Sequence, residues 1–207
     1  MLFRVTVSVV LVISAVVAKA QTAFASQADA TAEQIETGRI HLPGHNDVIY
    51  RIRLLPIPAF PALPQPIATA LNDHHCLIPQ TYEARRPENV IRGSFEKQGS
   101  DDWAALCSVN GSTTLYVFFQ SQPGIPIALR QQRNIDWLGA EIVGAYGSAW
   151  GIALRRPSHI PIDKSNQLHP PLDHDGIEDS NIEKSTSIHY FQSGSPNGSW
   201  ITIDANP

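Results

Sequence analysis

The dipeptide Asn110-Gly111, set between two apolar runs, restricts the fold more than any other feature of this 207-residue chain. A two-residue hairpin turn needs positive φ at both central positions, which Asn and Gly reach at little cost. Trp103 to Ser108 before it and Ser112 to Gln120 after it both read as strands, the second ending in Phe118-Phe119. Upstream, Val90 to Phe95 reads as another strand, and the polar stretch Glu96 to Asp102, with Gly99, as the turn between. These segments predict a three-stranded antiparallel meander at about 90–120. Ser185 to Phe191 and Ser199 to Ile203 predict a closing C-terminal hairpin, and Ile142 to Ala145 and Trp150 to Leu154 two further strands around Gly147-Ser148.

Helical signal is sparse. Prolines at 56, 58, 61, 64 and 66 exclude a helix and a central strand and favour extended chain. Pro66 can open a short helix, and Ile67, Leu71 and Asp73 follow at helical spacing, so residues 66 to 75 are expected to form a helix ending at Cys76. The expected fold class is α+β, mainly antiparallel sheet with one or two short helices.

The N-terminus reads as an export signal. Arg4 precedes the apolar-leaning run Val5 to Val17, and Ala18-Lys19-Ala20 supplies a small-x-small exit, with Ala23-Phe24-Ala25 as a second cleavage site. Thirteen residues are too few for a span of about 20. The expected organisation is a signal peptide at 1–20, an extended, partly disordered and Pro-rich lead-in at 21–65, and one α+β domain at 66–207. No membrane role is expected once the signal is cleaved.

Export governs how the charges and cysteines are read. Of 15 basic residues, Arg4 and Lys19 would leave with the signal, so 13 would face 19 acidic ones, a formal charge of about −6. The longest Lys/Arg runs are the pairs Arg85-Arg86 and Arg155-Arg156. Nucleic acid, which needs a basic patch, is therefore not an expected partner. Cys76 and Cys107 are the two cysteines, and in an oxidising compartment the pair reads as a disulfide; two buried thiols are the alternative.

One acidic segment carries the candidate chemistry. In Asp173-His174-Asp175-Gly176-Ile177-Glu178-Asp179, carboxylates alternate before a glycine that permits a sharp turn. Asp173, Asp175 and Asp179 are the candidate metal ligands, with calcium the fitting cation because it takes six to eight hard oxygens. The same residues would also serve as a solvated turn and helix N-cap. Asp173, His174, Asp175 and Glu178 are the residues on which an acid/base or metal-dependent hydrolase would rest. No phosphate-binding glycine loop, dinucleotide fingerprint or nucleophile elbow is present. Asn110-Gly-Ser and Asn197-Gly-Ser fit glycosylation sequons.

Two resemblances follow. Gly93-Ser-Phe-Glu-Lys-Gln-Gly-Ser-Asp-Asp-Trp-Ala104 resembles the blade opening of integrin-type FG-GAP/VCBS-like propeller repeats. Ser94 and Gln98 stand where those repeats place calcium carboxylates, leaving Glu96 and Asp102. Over roughly 64–204, the segments Cys76-Leu-Ile-Pro-Gln80, Asn89-Val-Ile-Arg-Gly-Ser-Phe95, Asp102-Trp-Ala-Ala-Leu-Cys-Ser108 and Asp173 to Asp179 resemble a recurrent pattern of exported bacterial proteins. That resemblance implies a periplasmic or secreted protein with both cysteines inside the motifs, and no particular reaction. The expected function is a small non-catalytic binding or interaction module without a cofactor, calcium excepted; the alternative is the hydrolase on 173–179.

Overall fold

β5, Asp102–Val109, is buried on both faces, and the rest of the protein is layered around it. The computed structural model describes residues 32–41, 47–140, 144–161, 172–182, 184–192 and 198–205. The expected signal peptide and the first part of the lead-in lie outside them. One compact unit spans Glu33–Pro207.

The described residues form thirteen strands in two sheets and one α-helix. The large sheet contains β1 (Gln34–Ile40), β2 (Val48–Pro56), β3 (Leu77–Pro79), β4 (Val90–Gly93), β5, β6 (Ser112–Phe118), β7 (Ile127–Arg133), β8 (Leu138–Ala140) and β9 (Tyr146–Ser148). Its path runs β7-β6-β5-β3-β2-β9-β8, with β1 pairing β2 and β4 pairing β5. The small sheet is β10 (Trp150–Arg155), β11 (Gly176–Asn181), β12 (Ser185–Gln192) and β13 (Ser199–Asp204), in sequence order and antiparallel throughout. Apart from one parallel bridge, Tyr50 with Tyr146, the large sheet is antiparallel too.

Strand alternation sorts β5 between two cores. Trp103, Ala105 and Cys107 face the helix α1, Gln65–Asp73, and pack with Ile67, Ala70 and Leu71. Ala104 and Leu106 face the other way and, with Leu115 and Val117 of β6, meet Trp150, Ile152 and Ile177 of the small sheet. Each large apolar side chain buried this way contributes about 1.5–3 kcal/mol. The outer face of the small sheet has its own cluster of Ile160, Ile188, Tyr190 and Ile203.

Local signals explain the joints. Asn110 (φ 49°) and Gly111 (φ 77°) make the tight turn between β5 and β6. Pro66 lies in the first turn of α1, and at its far end His75 takes φ 57° while the Cys76 N–H returns to the Leu71 carbonyl at 3.0 Å. The next residue pins the helix to β5 through the disulfide Cys76–Cys107, with Cα atoms 4.9 Å apart.

Several expectations are adjusted. β1 falls in the stretch read as a lead-in and is sheet; β2, where the alternation of Val48, Tyr50 and Ile52 with Ile49, Arg51 and Arg53 fits a short strand, joins β1, β3 and β9. Pro56 ends β2, and Pro58 lies within a single 3-10 turn, Ile57–Ala59. Gly147-Ser148, expected as a turn, lie in β9. Gly176–Asn181, expected as part of an acidic loop, is β11, an inner strand of the small sheet. No helix among the described residues is long and apolar enough to cross a membrane.

Candidate functional site

The strand conformation of β11 decides what the acidic segment can do. Successive side chains of a strand point to opposite faces, so Glu178 and Asp179 part company. Glu178 lies on the face away from the large sheet's core and pairs with Arg155. Asp179, fully buried, turns toward that core. Asp175 sits before the strand, where its Oδ2 accepts the Ser94 N–H at 3.0 Å while its own N–H donates to the Ser94 carbonyl at 2.9 Å. Asp173 accepts from His174 Nδ1 (2.6 Å) and from the Tyr190 hydroxyl (3.1 Å). The expected ligand set of Asp173, Asp175 and Asp179 is therefore dispersed over three separate partners. Among the described residues no group of three or more His, Cys, Asp or Glu could hold a metal ion. Of the hydrolase set, Asp173 and His174 are brought together at 2.6 Å, while Asp175 is held by Ser94 and Glu178 by Arg155.

Asp179 is the centre of a charged network at the seam between the sheets. Its Oδ1 accepts the Trp150 indole N–H at 2.6 Å, and its Oδ2 accepts from Arg130 at 3.0 Å and His189 Nε2 at 2.9 Å. An ionised carboxylate only accepts, which assigns a proton to Nε2; Nδ1 lies 3.1 Å from the Thr202 hydroxyl. The Arg130 guanidinium lies 4.4 Å from the Trp137 ring centre, a cation–π contact. Burial pushes the Asp179 carboxyl up, but the hydrogen bond from His189 and the charge of Arg130 outweigh it and hold it below the usual carboxylate range. Its three donors come from β7, β10 and β12, so the network ties both sheets together.

A second carboxylate explains the segment that resembles a calcium-binding blade. Asp102, fully buried, accepts the N–H groups of Phe95, Glu96 and Gln120, each at 2.7 Å, and the Ser100 hydroxyl. These donors satisfy the turn from within. Glu96, the other carboxylate of the segment, accepts the Ser121 hydroxyl at 2.9 Å. Gly93 opens the turn because nothing larger fits: a Cβ there would lie 2.4 Å from Leu154 Cδ1 and 2.7 Å from the Phe95 ring.

Asn89 joins the sheets by another route. It holds φ 68°, its carbonyl accepts the Leu106 N–H at 3.0 Å, and its side-chain oxygen accepts the Ile152 N–H at 3.0 Å. Its amide donates to the Pro79 carbonyl (2.7 Å) and the Trp150 carbonyl (3.1 Å).

A cleft of about 620 Å³ opens beside Asn89, between the segment 81–89 and strands β10 and β11. Ala153 and Ile182 give it an apolar wall. Of its carboxylates, Glu88 is occupied by the N–H and hydroxyl of Thr81, and Glu178 by Arg155. Glu83, Arg85 and Arg86 also line the cleft, and the two arginines are exposed and make no ion pair among the described residues. A second hollow, of about 550 Å³, lies between β1 and the β5–β6 turn and includes Glu36 and His75.

Sequence reading finds the cysteines and Asp179 but not the roles of Arg130, His189 or Asn89, which stand alone in their segments and meet Asp179 or the second sheet from far along the chain. No family model matches the chain, and no curated protein or solved structure matches it.

Proposed function

We propose that this protein is a small extracytoplasmic binding module that takes an anionic ligand with an apolar body in the cleft beside Asn89. One observation carries the reading: Arg85 and Arg86, exposed and in no ion pair among the described residues, line a cleft together with the apolar side chains of Ala153 and Ile182. A concave apolar wall with a few convergent polar groups is the usual form of a small-molecule site, and guanidinium groups suit carboxylate, sulfonate or phosphate. The Cys76–Cys107 disulfide fits an oxidising compartment. The local likeness to an FG-GAP/VCBS-like blade is read here as a shared turn, in which Asp102 organises backbone N–H groups where such blades hold calcium. A binding role is preferred to hydrolysis because, of Asp173, His174, Asp175 and Glu178, Glu178 alone reaches this cleft.

The test uses 8-anilinonaphthalene-1-sulfonate, an aromatic sulfonate whose fluorescence rises on binding apolar surface. Saturable binding at one site is expected, weakened about tenfold by each of Arg85→Ser and Arg86→Ser. Arg156→Ser, which removes an exposed arginine outside the cleft, should leave it unchanged. Equal binding by all three variants would sink the reading.

A further inference from the structure

We propose that strand β1 is a docking edge for an extended acidic peptide segment of a partner protein. Among the described residues β1 pairs with β2 alone, leaving the other edge of residues 35–40 to offer backbone N–H and C=O groups. The outer face of this two-stranded ribbon is built by alternation: Ile35, Thr37 and Arg39 from β1, opposite Arg53, Arg51 and Ile49 from β2. Ile35 and Ile49 are 45% and 47% exposed, among the most exposed large hydrophobic residues described. Arg39 and Arg51 are exposed and make no ion pair among the described residues, while Arg53 pairs with Glu33. Arg53 also donates to the Ala84 carbonyl, which brings the loop bearing Arg85 and Arg86 to that end of the face. The ribbon face thus carries three arginines, Arg39, Arg51 and Arg53, in a protein whose formal charge is −4.

Two features choose the occupant. Only a polypeptide carries the alternating N–H and C=O groups that extend a strand edge, and the guanidinium row selects carboxylate side chains. The isoleucines then accept an aliphatic residue that lies two positions from a carboxylate, on the same face of the docked strand. A second copy of β1 would leave Arg39 and Arg51 without counter-charge, and two isoleucines are little apolar area for a membrane surface. The inference rests on the binding-module reading and adds a partner class to it.

The probe is the seven-residue peptide Thr-Glu-Thr-Glu-Thr-Val-Thr, whose two carboxylates and valine share one face, with its Lys-for-Glu counterpart as control. The acidic peptide is expected to bind saturably in fluorescence anisotropy, to slow amide hydrogen exchange within 35–40, and to lose about tenfold in affinity with each of Arg39→Ser and Arg51→Ser. Both variants are at exposed positions, and thermal melts would show that they fold. Four outcomes would overturn the proposal: no binding, equal binding by the double variant, equal binding of the lysine peptide, or binding without slowed exchange in β1. It would equally be overturned by concentration-dependent dimers that protect β1 without peptide, or by arginine-dependent binding to phosphatidylglycerol vesicles where the peptide does not bind. If sulfonate binding still depends on Arg85 and Arg86 in any of these cases, the cleft reading stands and the docking edge alone fails.

Discussion

The Trp150 indole N–H and the Asp179 carboxylate meet at 2.6 Å inside the seam between the two sheets, and Arg130 closes the same carboxylate from β7. Removing one member of a buried charge pair strands the other, which typically costs about 3–5 kcal/mol. Arg130→Met should therefore destabilise strongly, since it leaves the Asp179 carboxylate buried without its guanidinium partner. Asp179→Asn should destabilise as well, and the double variant Arg130→Met/Asp179→Asn less than the two single losses together. Urea unfolding of the four proteins measures this coupling; strict additivity would show that the pair contributes nothing jointly.

The same carboxylate sets the acid limb of stability. Its folded pKa lies below the ordinary value of about 3.9. A depressed carboxylate contributes stability that is complete above the ordinary pKa and is lost as pH falls through the folded one. Wild-type stability should thus show no loss from Asp179 between pH 7 and about pH 4 and should drop below it. The gap between wild type and Asp179→Asn should narrow over that acid range. A gap that stays constant down to pH 2 would contradict the assignment.

Much of the sheet was legible because its signals are local. Asn110-Gly111 specifies its own turn, and the apolar run 103–108 is continuous because β5 is covered on both faces. β11 was misread for a physical reason. Its Asp and Glu residues resemble a solvated loop, and only the arrival of Arg130, His189 and Trp150 from distant segments makes a buried carboxylate tolerable there. β1 was missed because its inner residues Gln34, Glu36 and Gly38 are polar or small, so alternation in hydrophobicity is weak. The basic face escaped notice because it is assembled in space, although Arg51 and Arg53 already repeat at the strand period.

Calcium should leave the melting temperature unchanged. Asp173, Asp175 and Asp179 are committed to separate partners, and Asp102 is saturated by N–H groups and a hydroxyl. Millimolar calcium and EDTA should give superimposable thermal melts. Asp102→Ala should instead lower stability by about 3 kcal/mol or more, because it orphans three backbone N–H groups at once. A calcium-dependent rise in melting temperature would restore the metal reading.

Asn89 should prove as costly to lose as any core residue, although it is polar. Its side chain makes three hydrogen bonds, to Pro79, Trp150 and Ile152, and its backbone adopts φ 68°. Asn89→Ala removes all three, strands the Ile152 N–H and puts an alanine in the left-handed region; about 3–5 kcal/mol is expected from these losses combined. Asn89→Gly relieves the backbone strain but not the lost bonds, so it should recover about 1 kcal/mol relative to alanine. Because Asn89 links β10 to β4 and β5, hydrogen exchange in the alanine variant should rise first at Ile152 and Leu106. Uniform acceleration across both sheets would instead mean that the sheets separate only with global unfolding.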